Sequence, residues 1–210
     1  MKKRLVIGMS GATGSVYAIR MLEVLKDREE IETHLVISNS AAKTLHLETD
    51  YTFDYVTGLA GRVHDIHNVG GSIASGSFET IGMVVVPCSI KTLSGIANSF
   101  NVNLLIRAAD VTLKERRTLA LVVRETPFHK GHLRLMTRAA DLGAIIIPPI
   151  PSFYKRPKTI DNILDQTVGR ILDCFGIKVN TLNRWSEEDG ERAMALLDNE
   201  RKRKNPTVQS

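Results

Sequence analysis

Five short β-branched and aliphatic runs constrain this chain most: Arg4 to Gly8, Glu32 to Ile37, Met83 to Val86, Leu119 to Val123 and Ala144 to Ile147. Each is apolar at successive rather than alternate positions, so both faces of the strand it forms must be covered. That is the habit of parallel sheets flanked by helices. Helical patterns near 14–27, 39–47, 91–99, 103–117, 130–142 and 159–175 fill the intervals. The alternation predicts an α/β fold, a Rossmann-like (flavodoxin-like) doubly wound parallel sheet in three layers. Val63 to Ile66 is a further candidate strand in the less periodic stretch 50–80. At 210 residues the chain suits one core. Residues 1–185 are expected to form it, and 186–210 to be a charged C-terminal extension that leaves it.

The formal charge of +5 includes Arg201, Lys202, Arg203 and Lys204, and 5 − 4 leaves +1 for the body. A nearly neutral body argues against a nucleic-acid partner, and the basic run reads as a solvated, frayed tail. Cys88 and Cys174 are too few for a disulfide framework, which fits a reducing cytoplasm. Met1-Lys2-Lys3-Arg4 before Leu5-Val6-Ile7 imitates the start of a signal peptide, but the apolar run breaks at Gly8 and reads better as a first strand. No apolar stretch approaches the roughly 18 residues needed to span a bilayer, so no membrane partner is expected.

In an open parallel sheet, ligands sit beyond the carboxyl ends of the strands. Five segments fall there: Ser10 to Gly14, Ser38 to Ser40, Pro87 to Thr92, Arg124-Glu125-Thr126 and Pro148 to Tyr154. Gly8-Met9-Ser10-Gly11-Ala12-Thr13-Gly14 is a glycine-rich strand-to-helix turn whose free amides could receive a phosphate, or whose glycines could serve only close packing. Where a dinucleotide site would place an acid on the ribose, this chain has Ser38-Asn39-Ser40, which suits a flavin or mononucleotide better than NAD. Ser89 and Thr92 can cap a helix and also meet a ligand, whereas Cys88 reads as a buried strand end.

Arg107 and Lys114 are two helical turns apart and share a face, with Val111 between them. They are either a phosphate clamp or an ordinary wet face. Arg124 and Glu125 arrive together at the rim, as ligand groups or as a mutual ion pair. Pro148 to Tyr154 is a proline-stiffened loop presenting Phe153 and Tyr154. The histidines, including His64/His67 and His129/His132, show no ligand spacing that would argue for a metal.

Taken together, Gly11-Ala12-Thr13-Gly14, Pro87-Cys88-Ser89-Ile90-Lys91-Thr92-Leu93, Arg107-Ala108-Ala109-Asp110-Val111 with Leu113 to Arg117, and Arg124-Glu125-Thr126-Pro127 closely resemble the flavin prenyltransferase (UbiX) family, up to about Trp185. The resemblance implies a metal-independent enzyme joining a dimethylallyl group from dimethylallyl monophosphate to N5 and C6 of reduced FMN. It further implies a homododecamer and a UbiD-type decarboxylase that receives the prenylated FMN. It places FMN on Gly11, Ala12, Thr13, Ser38, Ser89, Ile90, Lys91, Thr92 and Arg124. The prenyl phosphate falls on Arg107, Lys114, Tyr154 and Arg170, with Trp185 nearby, and acid–base work on Glu125 with Thr13. Thr13 stands where many members have serine. The alternatives are an FMN-dependent decarboxylase of the peptidyl-cysteine type and a non-catalytic flavin carrier.

Overall fold

The structure is a computed structural model that describes residues 2–179 and 186–204, the side chains of 202–204 excepted. Its strands are β1 (Lys3–Met9), β2 (Ile31–Ile37), β3 (Arg62–His64), β4 (Gly82–Cys88), β5 (Thr118–Val123) and β6 (Ala144–Ile146). They form one sheet in the order β3-β2-β1-β4-β5-β6, every pairing parallel. This is the Rossmann order, with its reversal point between β1 and β4. The helices are α1 (Ser15–Lys26), α2 (Asn39–Glu48), α3 (Phe53–Gly58), α4 (Ile90–Ala97), α5 (Leu104–Lys114), α6 (Lys130–Asp141), α7 (Ile160–Asp173) and α8 (Glu187–Lys204).

Adjacent strand residues are buried because successive side chains enter opposite layers. Leu5, Ile7 and Met9 join a cluster with α1, α2, α3 and α7, while Val6, Met83 and Val85 join a second with α4, α5 and α6. The helices therefore divide into two faces, and that division decides which functional side chains can meet. Three elements depart from the sequence reading. The third strand is Arg62–His64 rather than 63–66, α3 lies in the stretch read as less periodic, and the charged extension carries a helix, Glu187–Lys204, that takes in the basic run read as a frayed tail. Glu187, Glu188 and Asp189 stand in the first turn of α8, where acids favour the helix dipole. Among the described residues no helix is long and apolar enough to cross a membrane.

The edge strand β3 is fixed partly by a histidine pair. His34 Nδ1 lies 2.9 Å from His64 Nε2 with the rings stacked, and His34 Nε2 is 3.5 Å from Glu32. Burial lowers both histidine pKa values, and the cations Arg4 and Arg62 add to this at His34 against the opposing pull of Glu32. Because the folded-state values are depressed, the unfolded chain binds these protons more readily. The contribution to stability is present above the ordinary histidine value of 6.5 and is lost as pH falls through the lowered values. Wild-type denaturation midpoints are expected to drop on acidification, and a His34→Leu variant to show a smaller drop. Equal pH dependence in both proteins would refute this.

Candidate active site at the carboxyl rim

The rim segments stand side by side in strand order, tied by backbone bonds. Ser38 N donates to Met9 O (2.9 Å), Ser10 N to Pro87 O (3.2 Å), Arg124 N to Cys88 O (3.0 Å) and Ile147 N to Leu121 O (2.9 Å). At the reversal point the 10–14 turn leads to α1 on one face and the 87–92 turn to α4 on the other, which opens a crevice between them.

A chain of hydroxyls lines that crevice. Ser10 is buried, donates to Pro87 O (2.9 Å) and accepts from Ser89 N (2.7 Å). Ser89 caps α4 by accepting from Thr92 N (3.3 Å), and its hydroxyl lies 3.2 Å from that of Thr92. Ser38 caps α2 in the same way, accepting from Ala41 N (3.1 Å). Lys91, Arg124 and the Thr13 hydroxyl are exposed at the same rim. Ile90 is half-buried against the α4–α6 core, and Cys88 is fully buried, its thiol pushed up to about 12 by that burial. Its reading as a structural strand end fits.

Gly11 is fixed by contact: a Cβ there would stand 2.3 Å from Ser40 Cβ at the start of α2. Gly14 has φ +107°, a left-handed conformation suited to glycine. Overpacking of this kind costs about 1–3 kcal/mol. Gly11→Ala is expected to lower the denaturation midpoint and to weaken FMN binding together. Unchanged FMN affinity in a calorimetric titration would show that this loop does not shape the site.

One rim residue escaped the sequence reading. Glu48, at the end of α2, reaches back so that its Oε2 accepts from Gly14 N (2.8 Å) and Ser15 N (3.1 Å). The amides at the start of α1, read as a phosphate cradle, are thus held by a resident carboxylate. An acid in the last turn of a helix opposes that helix's dipole, and this was the available sign of a tertiary partner. The anion-accepting positions that remain are the starts of α2 and α4, with Lys91 and Arg124. Two helix N-termini, two cations and a hydroxyl chain around an open crevice fit a phosphate-bearing flavin.

Arg124 is exposed and Glu125 half-buried, and Glu125 Oε1 accepts from the amide of Thr126 (3.0 Å). Among the described residues no ion pair joins them, so the mutual-pair reading has no support here.

The prenyl-phosphate set is not brought together. On α5 the polar stripe is Arg107 and Asp110, both half-buried, with the exposed Lys114, while Val111 between them is buried rather than sharing that face. Arg107 pairs with Asp110 (3.3 Å) near the carboxyl rim, and Lys114 pairs with Glu115. Ten rises of about 1.5 Å carry α5 roughly 15 Å from Leu104 to Lys114. Lys114 accordingly sits beside Gly76, in the segment leading to the amino end of β4. Arg170 lies near the end of α7, on the opposite face of the sheet, pairing with Asp173 (3.7 Å). Tyr154 follows β6 at the sheet edge, and Trp185 lies outside the described residues. The sequence reading treated these as one clamp, yet within one chain the sheet separates Arg170 from Arg107 and Lys114.

Known proteins resemble this chain over most of its length. The model of the family described as Flavoprotein matches residues 1–172. The flavin prenyltransferase UbiX of Thauera aromatica is 58% identical over 192 residues, 91% of this chain and 98% of that protein. The crystal structure of AnUbiX (PadA1) in complex with FMN and dimethylallyl pyrophosphate superposes with TM-score 0.87 at 46% identity, covering 89% of this chain and 98% of that one. A dodecameric FMN-dependent UbiX-like decarboxylase from Escherichia coli O157:H7 gives 0.85 at 43%, covering 87% and 99%. The peptidyl-cysteine decarboxylase EpiD, at 14% identity and TM-score 0.61, covering 84% and 100%, shares only the fold. With identity this high over nearly the full length of both chains, this chain belongs to the UbiX flavin prenyltransferases, within the Flavoprotein family.

Proposed function

We propose that this chain binds FMN in the crevice between β1 and β4 and catalyses its prenylation with a dimethylallyl phosphate. The observation that carries the reading is the convergence of Thr13, Ser38, the Ser89–Thr92 turn and Arg124–Glu125 on one rim, in a chain with this family membership. Reduced FMN would supply the nucleophilic N5 and then C6. The protein's own task is to hold the flavin, neutralise the leaving phosphate and accept protons.

Gly11 and Ala12 let the backbone approach the flavin closely. Ser38, Ser89, Lys91, Thr92 and Arg124 hold its polar edge and phosphate, with Ile90 at the turn. As the C1′–O bond of the prenyl donor breaks, the phosphate takes the electron pair, and Arg107, Lys114, Arg170 and the Tyr154 hydroxyl stabilise its charge. Since one chain cannot assemble that set, a second copy completes the clamp, which fits a homo-oligomer of dodecamer type. Glu125 and the Thr13 hydroxyl take the protons released at N5 and, on ring closure, at C6. The product is passed to a UbiD-type decarboxylase, and the work is cytoplasmic.

The test is direct. Purified protein is incubated anaerobically with reduced FMN and either dimethylallyl monophosphate or dimethylallyl pyrophosphate, and the flavin is weighed. A mass gain of one prenyl unit with at least one donor is expected, and FMN should be taken up in preference to NAD. An unchanged flavin mass with both donors would overturn the reading in favour of a flavin carrier.

A further inference from the structure

The charged helix α8 begins well past residue 172, where the match to the Flavoprotein family ends. It nevertheless rests on the loop after β6. Asp189, Arg192, Ala193 and Leu196 follow i, i+3, i+4, i+7 spacing and so form one helical stripe. That stripe and residues 154–156 line the two walls of a cavity of about 370 Å³.

The two walls are joined by an ion pair between Lys155 Nζ and Asp189 Oδ2, in which the Lys155 side chain is only 15% exposed. The same Asp189 oxygen accepts from the amide (2.9 Å) and hydroxyl (3.0 Å) of Ser186. An acid at the third helical position reaching back to the residue that precedes the helix is a capping arrangement, so one carboxylate both starts α8 and holds the loop. Lys155 and then Ser186 hold the Asp189 carboxyl down at about 2, so the link stays charged at any working pH. Lys155 is the neighbour of Tyr154.

We propose that α8 is a strap and Asp189 a positioning residue, which through Lys155 fixes the loop that presents Tyr154 to the phosphate of the prenyl donor. The inference rests on the assignment of Tyr154 to that donor. It adds a determinant of donor binding from a helix that lies beyond the residues matched by the Flavoprotein model.

The experiment uses the full chain and its Asp189→Asn, Asp189→Glu and Tyr154→Phe variants. Acylation of the Lys155 amine is followed by peptide mass spectrometry, with the exposed Lys158 of the same loop as internal control. In Asp189→Asn, Lys155 labelling and the KM for dimethylallyl monophosphate are each expected to rise about 5-fold, the upper range for a partly exposed ion pair, with kcat and FMN affinity unchanged. Asp189→Glu should restore both. Unchanged Lys155 labelling in Asp189→Asn would show that no strap exists. Faster labelling with an unchanged donor KM, while Tyr154→Phe raises that KM, would overturn the positioning role. If Tyr154→Phe itself leaves the donor KM unchanged, the assignment of Tyr154 fails instead, and the strap's role with it.

Discussion

Replacing Glu125 with glutamine is expected to reduce prenylation by at least about 100-fold, within the range that general acid–base groups contribute, while FMN still binds. Glutamine keeps the shape and a hydrogen-bonding oxygen but cannot accept a proton. The half-buried carboxylate engages the amide of Thr126 and is in no ion pair with Arg124, so removing its charge should leave Arg124 undisturbed. If Glu125 served only to orient Arg124, the loss would appear in FMN affinity, and bound flavin would still convert. Measuring FMN affinity and single-turnover product mass on the same variant decides the matter. Weakened binding with full conversion would remove Glu125 from the acid–base role.

The second large effect concerns the phosphate clamp and its division between copies. Lys114→Ala and Arg170→Ala should each lose at least about 10-fold in turnover, or roughly 1.4 kcal/mol of transition-state stabilisation. Within one chain the two cations lie on opposite faces of the sheet, so one copy cannot offer both to the same phosphate. Co-assembly of the two impaired variants should therefore regain activity. With random equal mixing, roughly one site in four draws both intact residues from different copies. Mixed oligomers no more active than their parents would show that the clamp is not shared in this way. Normal turnover in Lys114→Ala alone would return the α5 stripe to an ordinary solvated face.

Strands β1, β2, β4 and β5 were legible because burial on both faces leaves an uninterrupted apolar run, whereas the exposed edge strand β3 has none and was misplaced. Every helix that packs a broad apolar stripe on the sheet was legible too, α1, α4, α5 and α7 among them. The short helix α3 was not, since Val56 is its only buried residue and its start depends on the Thr52 cap, which accepts from Tyr55 N (3.1 Å). The helix α8 was missed for the opposite reason: its composition is that of a solvated tail, and its link to the loop after β6 is the Asp189–Lys155 ion pair, which spacing along the chain does not show. The serine cap at 89 was readable because a cap acts on amides two or three residues away, whereas Ser38 was read as a ligand hydroxyl and its cap of α2 came from the structure.

By itself the sequence determined the period of every element that buries a broad apolar face, the order of those elements, and which loops follow strand ends, because these depend on neighbours within a few residues. Tertiary structure alone decided what crosses between elements. Glu48 meets Gly14 across 34 residues, and its place in the last turn of α2 hints at a partner without saying which. Arg107, Lys114 and Arg170 read as one set by residue type, but the side of the sheet on which each helix packs is fixed by the crossovers around the β1–β4 reversal. Charge and spacing along the chain carry no information about that side, so residues that read as one local set are separated by the sheet.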